Sequence, residues 1–282
     1  MIERLSKRNP FLNFSIKGEY QKLDALFHDT RAFCITNYST YHQKHISYFD
    51  LLNNSFLQWE YRGSDITLEE MMISSHISED DFSINPSEEK LLYYIQFLIN
   101  AISFLEQRIL NTIYNIRQEN FLIGKALIEN CYLLLDKLKA EVKKEYSEWY
   151  VVYKNDAASA VSVQHPELEA RIIDYLKLNN RNNLERKKEI LGSLSNDLEK
   201  QEKEICDKGF KLLCSDTTFL LNKSGIRHEL DPKDKQKAFF LAMDEQERIK
   251  WYDRIFEMFL ACMAELPYLK YKDEIEQIRK IK

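Results

Sequence analysis

Polar and cationic side chains are concentrated in the segment 220–232, which reads LLNKSGIRHELDP and separates two runs of helical character. His228 is its histidine, and Lys223 and Arg227 are cations close to it in sequence. An imidazole titrates near neutral pH and can move protons, while a nearby cation can stabilise charge on a phosphorane. RNA cleavage by attack of its own 2′-OH needs both groups, so the segment is a candidate ribonuclease site.

The same residues also have a structural interpretation. Arg227 and His228 follow a predicted helix end, where cations bind the last carbonyl groups and complement the negative end of the helix dipole. Gly225 can adopt the left-handed conformation that ends many helices. Asp231 and Pro232 give a cap followed by proline, which predicts the start of the next helix. Capping and catalysis therefore both remain open from the sequence.

The order of elements around this segment resembles the HEPN superfamily, whose all-helical domains occur in prokaryotic toxin and phage-defence systems. Two long antiparallel helices precede a helix, a polar break with a histidine, and a further helix. The family's signature is an Arg, then a polar residue such as Asn and, a few residues later, a His. Asn222 and His228 match the last two positions, whereas Leu221 stands where the Arg is expected. The resemblance covers at most residues 85–265.

What the resemblance implies is an all-helical, metal-independent endoribonuclease of a toxin or phage-defence system. In such a site His228 would be the catalytic proton-transfer group, Arg227 and Lys223 would contact the phosphate, and Asn222 would be the positioning residue. HEPN ribonucleases resemble one another in forming the catalytic groove from two copies, so a homodimer is implied. RNA and an antitoxin or other protein are the implied partners, and no metal or cofactor is required. The alternative is a non-catalytic helical interaction or scaffold protein, whose apolar stripes pair with another copy or another chain.

A second cationic cluster lies in the stretch 181–188, which reads RNNLERKK. The net charge of the chain is −5, which disfavours nucleic-acid binding by overall charge but leaves room for a local patch. This stretch can bind phosphate groups, or it can be the solvated face of a helix. The candidate phosphate contacts are Arg181, Arg186, Lys187 and Lys188.

Helix-breaking residues are scarce, with 6 glycines and 5 prolines among 282 residues, which predicts long helices. Apolar residues recur every three or four positions within 85–116 and again within 121–153. Asn85, Pro86 and Glu88 give a capping signal for the first of these helices. We therefore predict an all-α fold with long antiparallel helices in a bundle.

Periodicity is weakest in the first 84 residues, where helices are predicted over about 17–36 and 42–61. A polar stretch at 74–85 predicts a linker. We expect an irregular helical N-terminal region over 1–84 and a HEPN-like bundle over 85–282, or one continuous domain. The N-terminal region is open to interpretation as a sensor, a dimerisation arm or extra helices of one domain.

The cysteines and the apolar runs restrict the class of protein. Five single cysteines show neither the close pairs of a zinc site nor the even count of a disulfide scaffold, which favours buried, reduced thiols in a cytoplasmic protein. No apolar run is long enough to span a bilayer, and the N-terminal charges precede no apolar core. We expect a protein that is neither secreted nor membrane-bound. Glycine-rich phosphate loops and zinc-type histidine motifs do not occur.

Two histidine pairs have helical spacing. Asp24 and His28 lie four residues apart and can form an oriented acid and base, while His42 and His45 lie three apart and can share a metal ion. Neither pair has a nucleophile or further ligands at a matching spacing. We interpret both pairs as structural.

Overall fold

The computed structural model describes residues 14–37, 42–109, 116–118, 121–205 and 210–280. The chain forms two compact units, an N-terminal unit Met1–Val152 and a C-terminal unit Tyr153–Lys282. The described residues are mainly helical, which confirms the helical class of the prediction. Two small antiparallel sheets are also present, so the stricter prediction of an all-α fold is wrong. None of the described helices is long and apolar enough to cross a membrane.

The N-terminal unit combines short helices with both sheets, and π-helical geometry at Leu105–Ile109 extends α5. Strands β1, β2 and β3 form an antiparallel sheet in the order β2-β1-β3, and β4 pairs with β5. The helices are α1 (Ile16–Phe27), α2 (Tyr48–Ser55), α3 (Leu68–Ser74), α4 (Glu79–Ile84), α5 (Glu88–Phe104) and α6 (Phe121–Lys137). The strands are β1 (Phe33–Asn37), β2 (His42–Ile46), β3 (Ile116–Gln118), β4 (Ala140–Glu145) and β5 (Glu148–Tyr153).

The two compact units divide after Val152, whereas the expected boundary lies between 84 and 85, with one continuous domain as the alternative. Helix α5 packs against both α1 and α6, which places residues on either side of that boundary in one core. The buried hydroxyl of Tyr94 on α5 donates to Asp24 Oδ1 on α1 at 2.9 Å, and its ring lies 4.7 Å from that of Tyr20. Residues 74–85, predicted as a linker, contain α4, which also packs on α1.

Side-chain caps set several helix starts in the N-terminal unit. Ser47 and Asp50 form a reciprocal capping box at α2, and equivalent boxes open α3 and α4. Helix α5 is capped by Ser87, which accepts from the Lys90 backbone N–H, and not by Asn85 as predicted. Asn85 instead ends α4, so two helices meet where the sequence indicated one start.

A β-hairpin replaces the second half of the long helix predicted over 121–153. Helix α6 ends at Lys137, and β4 and β5 follow. Lys139 (φ 53°) and Tyr146 (φ 55°) adopt left-handed backbone conformations, at the helix end and at the hairpin turn. The sequence EWYVVY of β5 is rich in the aromatic and β-branched residues that favour strands. This local preference, together with the contacts below, outweighs the helical spacing.

Buried amides on α5 bind the backbone of β5. Asn100 Nδ2 donates to the Trp149 carbonyl and its Oδ1 accepts from the Trp149 N–H, both at 2.8 Å. Gln96 Oε1 accepts from the Val151 N–H at 2.7 Å. Two polar residues within an apolar helical face therefore satisfy strand groups that burial would otherwise leave unpaired.

The C-terminal unit is helical around one core. Helix α9 packs against α8, α10 and α12, and α7 packs against α8 and α12. Leu194 and Leu198 of α9 meet Ile255, Phe256 and Phe259 of α12 in a cluster that is almost wholly buried. The helices are α7 (Asp156–Gln164), α8 (Pro166–Leu176), α9 (Leu184–Ile205), α10 (Lys211–Lys223), α11 (Lys235–Leu241) and α12 (Glu245–Lys280).

Cysteines Cys34, Cys131, Cys214 and Cys262 are buried, as predicted, and burial raises the pKa of the Cys131 thiol to about 12. Cys206 lies outside the described residues. A thiol with a raised pKa is protonated near neutral pH and is a poor nucleophile. These side chains therefore contribute packing.

Candidate functional site

The segment that follows α10 is a helix terminator. The Ser224 N–H donates to the Leu220 carbonyl at 2.9 Å, and the Arg227 N–H donates to the Leu221 carbonyl at 3.1 Å. Gly225 between them has a φ of +89°, which confirms its predicted left-handed conformation. A Cβ at Gly225 would also lie 3.0 Å from the Leu230 side chain, so a larger residue would be strained twice over.

Arg227 is committed to helix α9. Its Nε donates to Ser195 Oγ at 3.0 Å, its Nη2 donates to the Ser195 carbonyl at 2.7 Å, and its Nη1 lies 2.8 Å from a Glu199 carboxylate oxygen. Only 10 % of the side chain is exposed. The guanidinium therefore fixes the junction to α9, with three of its donor groups occupied.

Lys223 ties the end of α10 to the start of α11. Its Nζ lies 2.7 Å from Asp234 Oδ2, and Asp234 also caps α11 by accepting from the Gln236 and Lys237 N–H groups. The hydrogen bond from Lys223 lowers the pKa of the Asp234 carboxyl below its ordinary value. The second cation of the segment is thus also in a structural contact.

The remaining residues of the HEPN-like motif differ in exposure. His228 is exposed, Asn222 is partly buried, and Leu221 lies in the hydrophobic core at 1 % exposure. The position where the family's Arg is expected therefore faces the core, where an unpaired guanidinium would be costly. The segment presents one imidazole to solvent, and its two cations make their described contacts with other partners.

The stretch 181–188 contributes to a cavity in the C-terminal unit. Arg181 and Lys187 line a space of about 290 Å³ between α8, α9 and α12, whereas Arg186 and Lys188 are not among its lining residues. Four cations and two carboxylates are among the lining side chains, in a chain whose overall charge is negative. The polar and aromatic lining residues central to the site are Tyr153, Lys154, Tyr175, Lys177, Arg181, Lys187, Asp253 and Glu257.

Lys187 is a buried ammonium group at this cavity. Its side chain is 5 % exposed, and its Nζ lies 2.5 Å from Asp253 Oδ1 and 4.2 Å from the centre of the Tyr175 ring. Tyr175 donates its hydroxyl to the same Asp253 oxygen at 3.0 Å. Burial lowers the pKa of Lys187, and although the Asp253 charge acts in the opposite direction, the nearby Arg181 lowers the pKa further. Asp253 holds the ammonium and the phenol on one carboxylate.

Arg181 is exposed and lies over an aromatic ring. Its guanidinium carbon is 4.8 Å from the centre of the Tyr153 ring, and Nη1 donates to the Tyr153 hydroxyl. Lys154, which follows Tyr153, is also exposed, and Lys177 lies 3.5 Å from Asp174. A planar cation that lies over a phenol ring at a cationic cavity can both stack with a flat ligand and bind phosphate.

The other two predicted phosphate contacts lie elsewhere on α9. Arg186 forms ion pairs with Asp174 at 2.5 Å and with Glu189 at 2.9 Å, which fits a solvated helix face. Lys188 is partly buried. Sequence reasoning missed Tyr153, Lys154 and Asp253, because nothing in their local spacing indicated that they meet the 181–188 stretch.

The two histidine pairs have different outcomes. His42 and His45 lie on strand β2, opposite Asn37 and Cys34 of β1, and not on a helix. His28 Nδ1 lies 3.3 Å from Asp24 Oδ1 and 3.0 Å from the Asp24 carbonyl, and its ring stacks on Phe49 at 4.4 Å. This second pair caps the end of α1, as its structural interpretation predicts.

We predict that the His28 pair makes the N-terminal unit less stable as pH rises. The hydrogen bond that the His28 ring donates to the Asp24 carboxylate raises the pKa of His28 above its ordinary value of 6.5, against the effect of burial. The stabilisation is therefore complete below 6.5 and is lost as pH rises through the folded-state pKa. Since 41 % of the side chain is exposed, the effect stays below about 1 kcal/mol. Urea denaturation of the wild type and of His28→Gln between pH 5 and 8.5 measures the free energy of unfolding at each pH. Its slope with pH is ~2.303RT for each proton by which the folded and unfolded states differ. The same slope in both proteins would contradict the prediction.

Comparisons of the chain with protein-family models, with curated proteins and with solved structures found no match. Functional proposals for the cavity and for the helix junction therefore rest on their geometry alone.

Proposed function

We propose that the C-terminal unit is a non-catalytic module that binds single-stranded RNA at the cavity lined by Arg181 and Lys187. The observation that carries this proposal is the exposed Arg181 guanidinium that lies over the Tyr153 ring, at a cavity that a buried lysine also lines. Proteins bind unpaired bases by stacking them on aromatic rings or guanidinium planes, and they bind the backbone with cations. Both elements occur here within one cavity.

The proposal assigns roles to the charged groups around Arg181. A base stacks on the face of Arg181 that is turned away from Tyr153, while Lys154 and Arg181 contact the adjacent phosphates. The carboxylates of Asp253 and Glu257 accept hydrogen bonds from ribose hydroxyls, which favours RNA over DNA. Lys187 holds Asp253 in place and contributes positive potential from below the surface.

Single-stranded RNA fits this cavity better than a duplex. A space of about 290 Å³ suits one nucleotide unit, and a base must leave its stack to enter it. The bases of a duplex are paired and present only their edges. The cavity therefore selects unpaired RNA.

We predict that Arg181→Ala weakens binding of single-stranded RNA by roughly tenfold, because one stacking and one phosphate contact are lost. Fluorescence anisotropy of the full chain with a labelled RNA of about 12 nucleotides measures this. Arg254→Ala is the matched control, since Arg254 is also exposed and lies 4.8 Å from the centre of the Trp251 ring, but does not line the cavity. Equal losses in both variants, or no binding by the wild type at low salt, would contradict the proposal.

Cleavage of RNA at His228 is a second candidate function. The observation that favours it is the exposed imidazole of His228 in the segment that resembles the HEPN motif, which also contains the partly buried Asn222. Arg227 and Lys223 are paired with Glu199 and Asp234, so a homodimer would have to supply the stabilising cation. A toxin or defence role, with an antitoxin or other protein partner, belongs to this candidate. RNA incubated without metal should be cut by the wild type and not by His228→Ala. Intact RNA with both proteins would exclude cleavage as a function.

A further inference from the structure

The N-terminal unit contains a cavity of about 370 Å³ with aromatic walls and acidic groups. Trp59, Tyr61 and Phe104 supply the rings, and Glu60 and Glu148 supply the carboxylates. No cationic side chain is among its lining residues in the part of the chain that the structure describes. This cavity is therefore acidic, whereas the cavity lined by Arg181 and Lys187 has more cationic than acidic side chains.

Its aromatic wall is layered. The ring of Trp59 contacts that of Tyr61, with the ring centres 5.1 Å apart at 30°, and that of Phe104, with the centres 5.9 Å apart at 24°. Phe97 packs against Trp59 at a steep angle, with the ring centres 5.8 Å apart. Trp59 is only 4 % exposed, so these contacts hold the indole in one orientation.

Two of the amides that line the cavity are bound within the protein. Asn100 binds both backbone groups of Trp149, and Gln107 donates to the Ser103 hydroxyl at 3.0 Å. Glu148 accepts from the Tyr150 hydroxyl at 2.5 Å. Burial raises the pKa of Tyr61, the hydrogen bond from Gln96 lowers it, and the charge of Glu148 raises it. Among the lining groups, the ring faces and the carboxylates are those that favour a positive charge.

We propose that this cavity binds an organic cation that carries an alkylguanidinium or alkylammonium group. Ring faces attract cations through their negative quadrupole, and the rings of Tyr61 and Phe104, unlike that of the enclosed Trp59, are only partly buried. A carboxylate adds direct charge pairing. An anion would meet two like charges, and a neutral apolar molecule would desolvate Glu60 and Glu148 without compensation. The proposal rests on the N-terminal unit alone and is independent of RNA binding.

Calorimetric titration of the full chain with n-butylguanidinium and with n-butylurea tests the proposal. The two probes have nearly the same shape and differ in charge. We expect the guanidinium to bind at least roughly tenfold more tightly than the urea. Equal affinity of the two probes, or no heat from the guanidinium at millimolar concentration, would overturn the proposal.

Variants of the two cavity carboxylates test where the cation binds, and both substitutions are chosen to leave the fold intact. Glu148→Gln keeps an acceptor for Tyr150 but removes the charge, and Glu60→Gln removes an exposed charge at little structural risk. Each should weaken the guanidinium by about threefold or more, while Glu69→Gln, on the exposed face of α3, should not. Unchanged affinity in both cavity variants, or an equal loss in Glu69→Gln, would overturn the proposal.

The same titration distinguishes two sources of the cation. A free small cation is the ligand if n-butylguanidinium binds at least as well as a short peptide with a central arginine. Tighter binding of the arginine peptide than of an otherwise identical citrulline peptide assigns the cation to a partner protein. Either result supports the cation site, and failure of every cationic probe overturns it.

Discussion

Asp253→Ala is expected to lower the free energy of unfolding of the C-terminal unit by about 3 kcal/mol, because it leaves the Lys187 ammonium buried without its partner. The Lys187 side chain is 5 % exposed, so water replaces the lost carboxylate only in part. The Tyr175 hydroxyl loses its acceptor in the same change. Urea denaturation of the full chain, followed by circular dichroism, measures the loss.

Replacement of the lysine should lower the free energy of unfolding less than replacement of the aspartate. Lys187→Met keeps an unbranched apolar stem and leaves Asp253, which is 50 % exposed and can be hydrated, so we expect a loss of about 1 kcal/mol or less. Asp216→Ala, on an exposed position of α10, is the control and should change stability by less than about 0.5 kcal/mol. Equal losses from Asp253→Ala and Lys187→Met would show that the ammonium is not the costly member of the pair.

The loss in Asp253→Ala should also depend on pH. Burial lowers the folded-state pKa of Lys187 below its ordinary value of 10.5, and removal of Asp253 takes away the main opposing charge. Between the folded and unfolded pKa values the unfolded chain binds more protons, so stability rises with pH. The deficit of Asp253→Ala should therefore shrink as pH rises toward 10.5. A deficit that is constant between pH 7 and 10 would contradict this explanation.

Arg227→Ala is expected to destabilise the C-terminal unit by about 2 kcal/mol, whereas His228→Ala should change it by less than about 0.5 kcal/mol. Arg227 bridges the junction to Ser195 and Glu199 with most of its side chain buried, while its neighbour is exposed. Arg227→Lys should recover little of the loss, because a single ammonium cannot reproduce the fork of the guanidinium.

Thermal unfolding of the three variants separates the two interpretations of this segment. A stable His228→Ala protein would be suitable for the cleavage assay, since any loss of activity could not be attributed to unfolding. If His228→Ala instead costs more than about 1 kcal/mol while Arg227→Ala costs little, the histidine is the structural residue and the cleavage candidate fails.

Local signals in the sequence predicted much of the helical structure. The scarcity of glycine and proline indicated a mainly helical chain, and Gly225 marked a helix end that the structure confirms. The hairpin β4–β5 was missed because its apolar spacing also fits a helix, and its pairing depends on Asn100 and Gln96 from α5. Those two polar residues within an apolar stripe were the available signal, since a buried amide needs partners.

The candidate site was only partly predictable for a related reason. Arg181 and Lys187 belong to a basic stretch that the sequence shows directly, but the Tyr153 and Asp253 that complete their surroundings lie 28 and 66 residues away. Pairing across such separations follows from helix packing and not from local spacing. The motif at 222–228 shows the converse, because its local pattern indicated chemistry while packing gave Arg227 a structural partner.

Photo-crosslinking of a 4-thiouridine-labelled single-stranded RNA to the full chain, with mass spectrometry of the crosslinked peptides, tests RNA binding at the cavity most directly. Binding at this cavity predicts crosslinks at Tyr153 or Lys154 and near Arg181, and their loss in Arg181→Ala but not in Arg254→Ala. Crosslinks confined to residues 222–232, or none at all, would contradict it.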